Sequence, residues 1–466
     1  MQYPLTFTAR ILLAGLFTLA SASLLAQPRQ DTAASLSQKL DEYLLSAAGQ
    51  YRFNGAALVA RRGKILLNKG YGWQDAASKA PNDTSTVFPI LSITKSFTST
   101  VILSLQEEGK LSVKDPLSKY FPDFPKGGQI TLRHLLSHTS GIYNYTNDIG
   151  KEDSAIICYP VPKQRILDIF YNKRLEFKPG KQFSYNNSGF FLLGMIVEKV
   201  TGKPYEQVVR ERIFEPLGMN RSGFDFIHLP EEVKARGYDR LTAEEQRPSN
   251  PWDSTVSYAA GSIYSTTNDM YKWARAVAHQ ELISKESWEQ AFTPYRDRYG
   301  YGWWIDTLFG HRYVTHSGGG FGFMSNLMYF PEEDVTIMLF NNFGDYGQSL
   351  HQINTGLSAI MFNKRYDLWT SREIVEVPEK ILKSYTGTYT LDGKAKVFIT
   401  LSGRQLFAEG NSPQSIPRLP LLAQSENVFF LEEFNVTFRF AADPEEKDLQ
   451  LVVHEKGQDF QWKKIK

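Results

Sequence analysis

The chain has 466 residues, room for two or three domains, and at 42% hydrophobic and 22% charged it has the composition of a folded globular protein rather than a disordered one. Its 52 basic and 50 acidic residues leave a formal charge of only +2, and no run of Lys or Arg forms the stripe that a phosphate backbone requires, so no nucleic acid partner is expected. The only cysteine, Cys158, excludes an internal disulfide, and its apolar setting "AIICYP" reads as a buried structural thiol rather than a reactive one.

The chain opens with "MQYPLTFTARILLAGLFTLASASLLAQPRQ", in which Arg10 precedes an apolar run from Ile11 to Ala26 with small residues near its end. That run falls short of the roughly 20 residues of a spanning helix and has the layout of a secretory signal peptide. The expected signal peptide covers residues 1–26, with Ser23 as a second cleavage point and a retained anchor as the alternative. No cysteine follows, which excludes a lipoprotein anchor. The protein is therefore expected to be exported, either periplasmic or secreted.

Residues 35–50 form an amphipathic helical pattern, and "GAALVARRGKILLNKGYG" is two apolar runs about an Arg62-Gly63 turn, a hairpin signal. Ser92 opens a helix-period segment that closes at Gly109. From about 110 to 290 the patterns are helical, with Pro and Gly turns between them. Near 299 the period changes to strands, "YGYGWWID", "RYVTHSGGG", "GFMSNLMYF" and "DVTIMLFNN", followed by a helical stretch before Trp369. Strands at both ends with helices between predict an α/β (α+β) domain over 27–368, its antiparallel sheet built from the two ends and a helical subdomain packed beside it. After a linker at 369–376, residues 377–466 show seven short alternating strands and no helix, an all-β barrel or sandwich.

Three stretches carry the chemistry. "LSITKSFTS" places Ser92 three residues before Lys95, on one face of a first helical turn; "FSYNNSGF" contains Tyr185 and Asn187; "VTHSGGGFGF" contains His316, Ser317, Gly318 and Gly319. A serine hydrolase of the Ser/Lys type needs a nucleophile, a nearby base, a second proton carrier and backbone N–H groups for the developing oxyanion. Lys95 can act as a base only if its pKa falls from about 10.4 to roughly 7–8, a change of about 4 kcal/mol. Tyr185 can relay a proton to the leaving group, and Asn187 can orient either Lys95 or a substrate amide. The competing readings are a helix-capping serine, a buried tyrosine and a structural strand histidine.

The order Ser-x-x-Lys, Tyr-x-Asn, His-x-Gly resembles the serine β-lactamase and penicillin-recognising family, on its class C and D-alanyl-D-alanine carboxypeptidase side. "ITLRHLLSHTSGI" at 130–142, "EPLGMNRSGF" at 215–224 and "AAGSIYSTTNDM" at 259–270 are similar to the same family, so the likeness spans roughly 35–365. It implies a β-lactamase/transpeptidase-like fold. Ser92 would be the acylated nucleophile, and Lys95 and Tyr185 the proton-transfer pair. Asn187 would be an amide in contact with substrate, and His316, Ser317, Gly318 and Gly319 would line the channel. The N–H groups of Ser92 and Gly319 would form the oxyanion hole. The resemblance does not say which residue deprotonates the serine. The terminal β-domain resembles the lipocalin-like domains appended to such proteins.

One position departs from the β-lactamase pattern, whose third motif begins with lysine where this chain has His316. A histidine of pKa about 6.5 is mostly neutral at pH 7 and pairs poorly with a substrate carboxylate, which shifts the expectation from β-lactams toward peptides and esters. His134 and His138 share i, i+4 spacing, but no Glu follows the first and no third ligand is evident, so no metal or cofactor is expected. The expected activity is an acyl-enzyme hydrolase of D-amino-acid or cell-wall stem peptides or small esters, with peptidoglycan as a possible partner. The rivals are a β-lactamase, a non-catalytic penicillin-binding receptor or scaffold, and a carbohydrate- or lipid-binding β-domain with the hydrolase subordinate. Nothing in the sequence sets an oligomeric state.

Overall fold

The computed structural model describes residues 32–149, 157–344, 347–411, 418–431, 435–442, 449–455 and 457–465; the expected signal peptide lies outside them. The hairpin forms as the sequence predicts. Strands β1 (Gly55–Arg61) and β2 (Lys64–Tyr71) meet at Arg62 and Gly63, whose φ values of 50° and 73° give the turn a twist that matches the strands. The later strands β3 (Trp304–Leu308), β4 (His311–Gly320), β5 (Phe323–Phe330) and β6 (Val335–Asn341) complete one antiparallel sheet in the order β2-β1-β6-β5-β4-β3. β1 pairs with β6 from Gly55↔Asn341 to Arg61↔Val335, so the two ends of the domain are joined at the sheet's centre.

Strand alternation divides the interior into two cores. Ala56, Leu58 and Ala60 of β1, with Met338 and Phe340 of β6, face helices α2 (Thr94–Glu107), α4 (Asn187–Thr201) and α5 (Thr267–Ala278) in the larger core. Ala57 and Val59, with Ile337 and Leu339, face α1 (Ala33–Gly49) and α6 (Gly347–Met361). Because both faces are covered, β1 and β6 read as unbroken apolar runs. The helical region between the two sheet segments includes the short α3 (Leu132–Leu136), which lies against α4.

The C-terminal domain is a closed, eight-stranded antiparallel barrel running from Gly387 to Lys464, closed by Tyr389↔Lys464. Four expectations are corrected here. The strand Leu419–Ala423 makes eight rather than seven; its "LPLLA" lacks polar alternation and contains Pro420, which removes a ladder donor. A helix, α7 (Glu379–Tyr385), precedes the barrel, and its Tyr385 ring stacks on the interior Phe440 at 4.2 Å. Phe429, Phe438, Phe440, Leu406 and Leu451 are among the side chains that fill the barrel. Trp369, expected at the start of the linker, is instead buried in the α1/α6 core, with its backbone N–H donating to Ser46 Oγ. Cys158, expected to be buried, is half-exposed.

Candidate active site

Between Thr86 and Leu103 every residue except Ser92 is buried. Ser92 lies in a 3-10 turn, Leu91–Ile93, immediately before α2, and neither the turn nor α2 has a side-chain cap hydrogen bond. The capping alternative for Ser92 therefore does not describe this turn. Leu91 is held at φ 51°, a left-handed conformation costing a non-glycine residue roughly 1–2 kcal/mol. Long-range contacts sustain it: Ile90 donates its N–H to Ile263 O (2.9 Å), and Ile90 O accepts the Ser325 hydroxyl (2.7 Å). Strain of this kind concentrates at functional sites and has to be over-determined by its surroundings.

One turn on, Lys95 is 0% exposed and its Nζ lies 3.0 Å from Ser92 Oγ. The same nitrogen donates to Ala260 O at 2.7 Å, and among the described residues no carboxylate pairs with it. Burial pushes its pKa well below the usual lysine range, because a desolvated ammonium without a counter-ion is costly. Tyr185 is hydrogen-bonded with Ser92, and Lys95 Nζ sits 4.9 Å from the centre of its ring. Burial drives the tyrosine the other way, raising its pKa, while the Ser92 hydrogen bond lowers it. At neutral pH Tyr185 is therefore an O–H donor.

His316 is 1% exposed, behind the channel rather than on its surface. Its Nδ1 is 2.7 Å from Ser317 O, which can only accept, so Nδ1 carries the proton and Nε2 accepts the Tyr299 hydroxyl at 3.0 Å. Burial first, then the nearby Lys95, lowers its pKa to about 3 against the expected value near 6.5. The sign of the stability effect follows. Between pH 6.5 and 3 the unfolded chain binds a proton at this position and the folded chain does not, so stability falls as pH falls. Unfolding free energy is expected to drop by roughly 2–3 kcal/mol between pH 6.5 and 4.5 on account of His316. Denaturant titrations of the wild type and His316→Gln should give a shallower pH slope in the variant; equal slopes would show that His316 titrates normally.

Beyond His316, strand β4 becomes an open edge, because its pairing with β3 stops at Thr315↔Trp304. Ser317 and Gly319 are exposed along this edge and Gly318 is buried between them. A Cβ at Gly318 would meet Ile90 O at 2.6 Å and Leu91 Cβ at 2.7 Å, so glycine is what lets the edge strand close on the nucleophile turn. Asn187 sits on the rim. Its N–H donates to Asn144 Oδ1 (3.1 Å) and its amide to Thr146 Oγ1 (3.4 Å), which leaves it no bond to Lys95. Of its two expected roles, orienting Lys95 is not the one the geometry provides. The site thus has a surface layer of Ser92, Tyr185, Asn187, Ser317 and Gly319 over a buried layer of Lys95, His316 and Gly318.

Sequence reasoning missed Tyr299 and gave His138 no role. The "YGYGWWID" stretch reads only as a strand, and its Tyr299 is the partner of His316. The zinc-like spacing of His134 and His138 dissolves because α3 ends at Leu136. Each Nδ1 accepts a backbone N–H instead, from Thr131 and Asn186 respectively.

Residues 31–355 match the Beta-lactamase family, and residues 371–464 match a domain of unknown function, DUF3471. Over 434 residues the chain is 29% identical to penicillin-binding protein 4* of Bacillus subtilis (strain 168), covering 88% of this chain and 94% of that protein. Among solved structures it is similar to the octameric penicillin-binding protein homologue from Pyrococcus abyssi, at TM-score 0.63 and 26% identity over 91% of this chain and 99% of that one. It is also similar to a D-stereospecific amidohydrolase from Streptomyces sp., at TM-score 0.56 and 26% identity, covering 69% of this chain and 98% of that one. A match that begins ahead of the first strand and ends within α6 takes in the whole sheet domain and its site, and the chain belongs to the Beta-lactamase family of serine-hydrolase-like proteins, related to penicillin-binding proteins and to a D-stereospecific amidohydrolase.

Proposed function

We propose that this protein is an exported serine hydrolase that forms an acyl-enzyme on Ser92 and releases it to water, cleaving amide or ester bonds of small D-amino-acid peptides or esters. The observation that carries the reading is a surface serine whose Oγ lies 3.0 Å from a fully buried lysine with no counter-ion among the described residues. A neutral Lys95 amine takes the Ser92 proton as Oγ bonds to the substrate carbonyl carbon. As the tetrahedral intermediate collapses, the bond to the leaving amine or alkoxide breaks. Tyr185 gives that group its proton and is reprotonated from the Lys95 ammonium. Water then attacks the ester, losing its proton by the same route as Ser92 Oγ recovers one. Burial moves the two pKa values apart in the useful directions, lysine toward a free amine and tyrosine toward a retained O–H.

The neutral, enclosed His316 supports peptide and ester substrates over β-lactams, since it supplies no cation for a carboxylate. The relationship to a D-stereospecific amidohydrolase supports D-configured amides in particular. Cell-wall stem peptides fit that chemistry, and the apolar leader at residues 11–26 supports a site of action outside the cytoplasm. The test is a turnover screen over D-amino-acid amides and peptides, short p-nitrophenyl esters and a chromogenic cephalosporin. Multiple turnovers are expected on the first two groups and slow turnover on the third. A stoichiometric burst without turnover on every substrate would favour a non-catalytic receptor.

A further inference from the structure

His138 occupies a position at which a glycine would be locally preferred. It follows the C-cap Ser137 of α3 at φ 57°, with its N–H bonded to Leu135 O (3.4 Å) and the next N–H, of Thr139, bonded to His134 O (2.9 Å). That pair of bonds is the Schellman helix end, whose left-handed residue is usually glycine because a side chain there is strained. This chain places a histidine there and buries it to 1% exposure.

Its contacts converge on Tyr185. The carbonyl of His138 accepts the N–H of Ser184 at 2.9 Å, and its Nδ1 accepts the N–H of Asn186 at 3.1 Å, so both chain neighbours of Tyr185 are tied to one residue. The imidazole ring packs 4.3 Å from the Tyr185 ring and 4.6 Å from that of Tyr299, the partner of His316. Because Nδ1 accepts, the neutral ring carries its proton on Nε2, which is buried with no hydrogen-bond partner in the described structure. A strained backbone and an unpaired buried N–H together cost a few kcal/mol, and a functional site is where such violations of local preference are expected.

From this geometry we infer that His138 is a positioning residue for the reaction: it clamps the Ser184–Asn186 turn and so sets where the Tyr185 hydroxyl stands relative to Ser92. The inference rests on the reading of Ser92 as nucleophile. Burial, with Lys95 and His316 nearby, lowers the pKa of His138 and keeps the clamp neutral, so it adds no charge beside the base.

The experiment follows kcat/KM for a D-amino-acid amide, whose leaving amine takes its proton from Tyr185, with fluorophosphonate labelling of Ser92 and thermal melting measured beside it in the full-length protein. His138→Gly relieves the backbone strain but removes the Nδ1 acceptor and the ring, and kcat/KM is expected to fall about 100-fold, the scale of a catalytic group displaced by about an ångström. His138→Asn keeps an acceptor near the Nδ1 position and tolerates positive φ, so it should recover to within about tenfold of wild type. In a Tyr185→Phe background, His138→Gly should add little further loss, because the clamp acts through the hydroxyl already removed. Full additivity of the two losses, or a folded His138→Asn variant as slow as His138→Gly, would overturn the positioning role. If His138→Gly does not fold, the Asn variant and its Tyr185→Phe double mutant carry the same comparison. An unlabelled wild type would instead remove the nucleophile assignment, and this inference with it.

Discussion

Replacing Ser92 with alanine is expected to lower kcat on the order of a millionfold, the scale of nucleophile loss in serine hydrolases, and to abolish fluorophosphonate labelling. The fold should survive, with stability within about 1 kcal/mol of wild type, since the change removes one oxygen from a half-exposed side chain. Lys95 keeps its bond to Ala260 O in the variant, so its amine nitrogen is not stranded. Measurement of labelling stoichiometry beside a denaturation curve separates loss of chemistry from loss of structure. Labelling at full stoichiometry in Ser92→Ala would mean that another residue is the nucleophile.

Lys95→Arg is expected to be nearly as damaging, with activity reduced by roughly 10⁴-fold or more despite the retained positive charge. A guanidinium cannot release a proton near neutral pH, whereas the Lys95 amine is pushed by burial toward its neutral form. Arginine at this position would also bury a permanent charge without a counter-ion, so the variant should melt below wild type as well. Lys95→Met separates the two effects: it keeps the length and the apolar stem, should melt close to wild type, and should be equally inactive. The pH dependence of wild-type kcat/KM gives a second check. Its acidic limb should lie far below the ordinary lysine range, because activity is lost only as pH falls through the depressed Lys95 pKa. An active Lys95→Arg variant would show that the lysine supplies charge rather than a proton acceptor.

Buried bases dominate the site. Lys95, His138 and His316 are all depressed mainly by desolvation, and both histidines are lowered further by Lys95. Each added positive charge would raise the cost of the next, which favours a resting state in which all three are neutral and a single proton can be taken up from Ser92. His316 was expected from its residue type to gain charge as pH falls through about 6.5. With its Nε2 capped by Tyr299 and its pKa near 3, it remains neutral through that range, and a change of substrate preference with pH cannot come from it.

Much of this protein was legible in the chain alone. Short, mostly apolar runs in "GAALVAR" and "VTIMLFN" specify strands, and the i, i+3 spacing of Ser92 and Lys95 puts them on one face of a turn whatever surrounds them. Such features are local, governed by backbone geometry over a few residues. Leu419–Ala423 and α7 escaped because five- and seven-residue segments carry too little periodicity to announce themselves. Tyr299 and the true place of His138 escaped for another reason. The contact of His138 with Asn186 crosses 48 residues of sequence, and that of Tyr299 with His316 crosses 17. The neutrality of Lys95 and His316 is likewise set by their burial in the folded chain, where among the described residues no carboxylate pairs with either. The residue types that can react are written in order along the chain; their protonation and aim belong to the packed interior, because desolvation and long-range hydrogen bonds exist only once the sheet, α2 and α4 have closed around them.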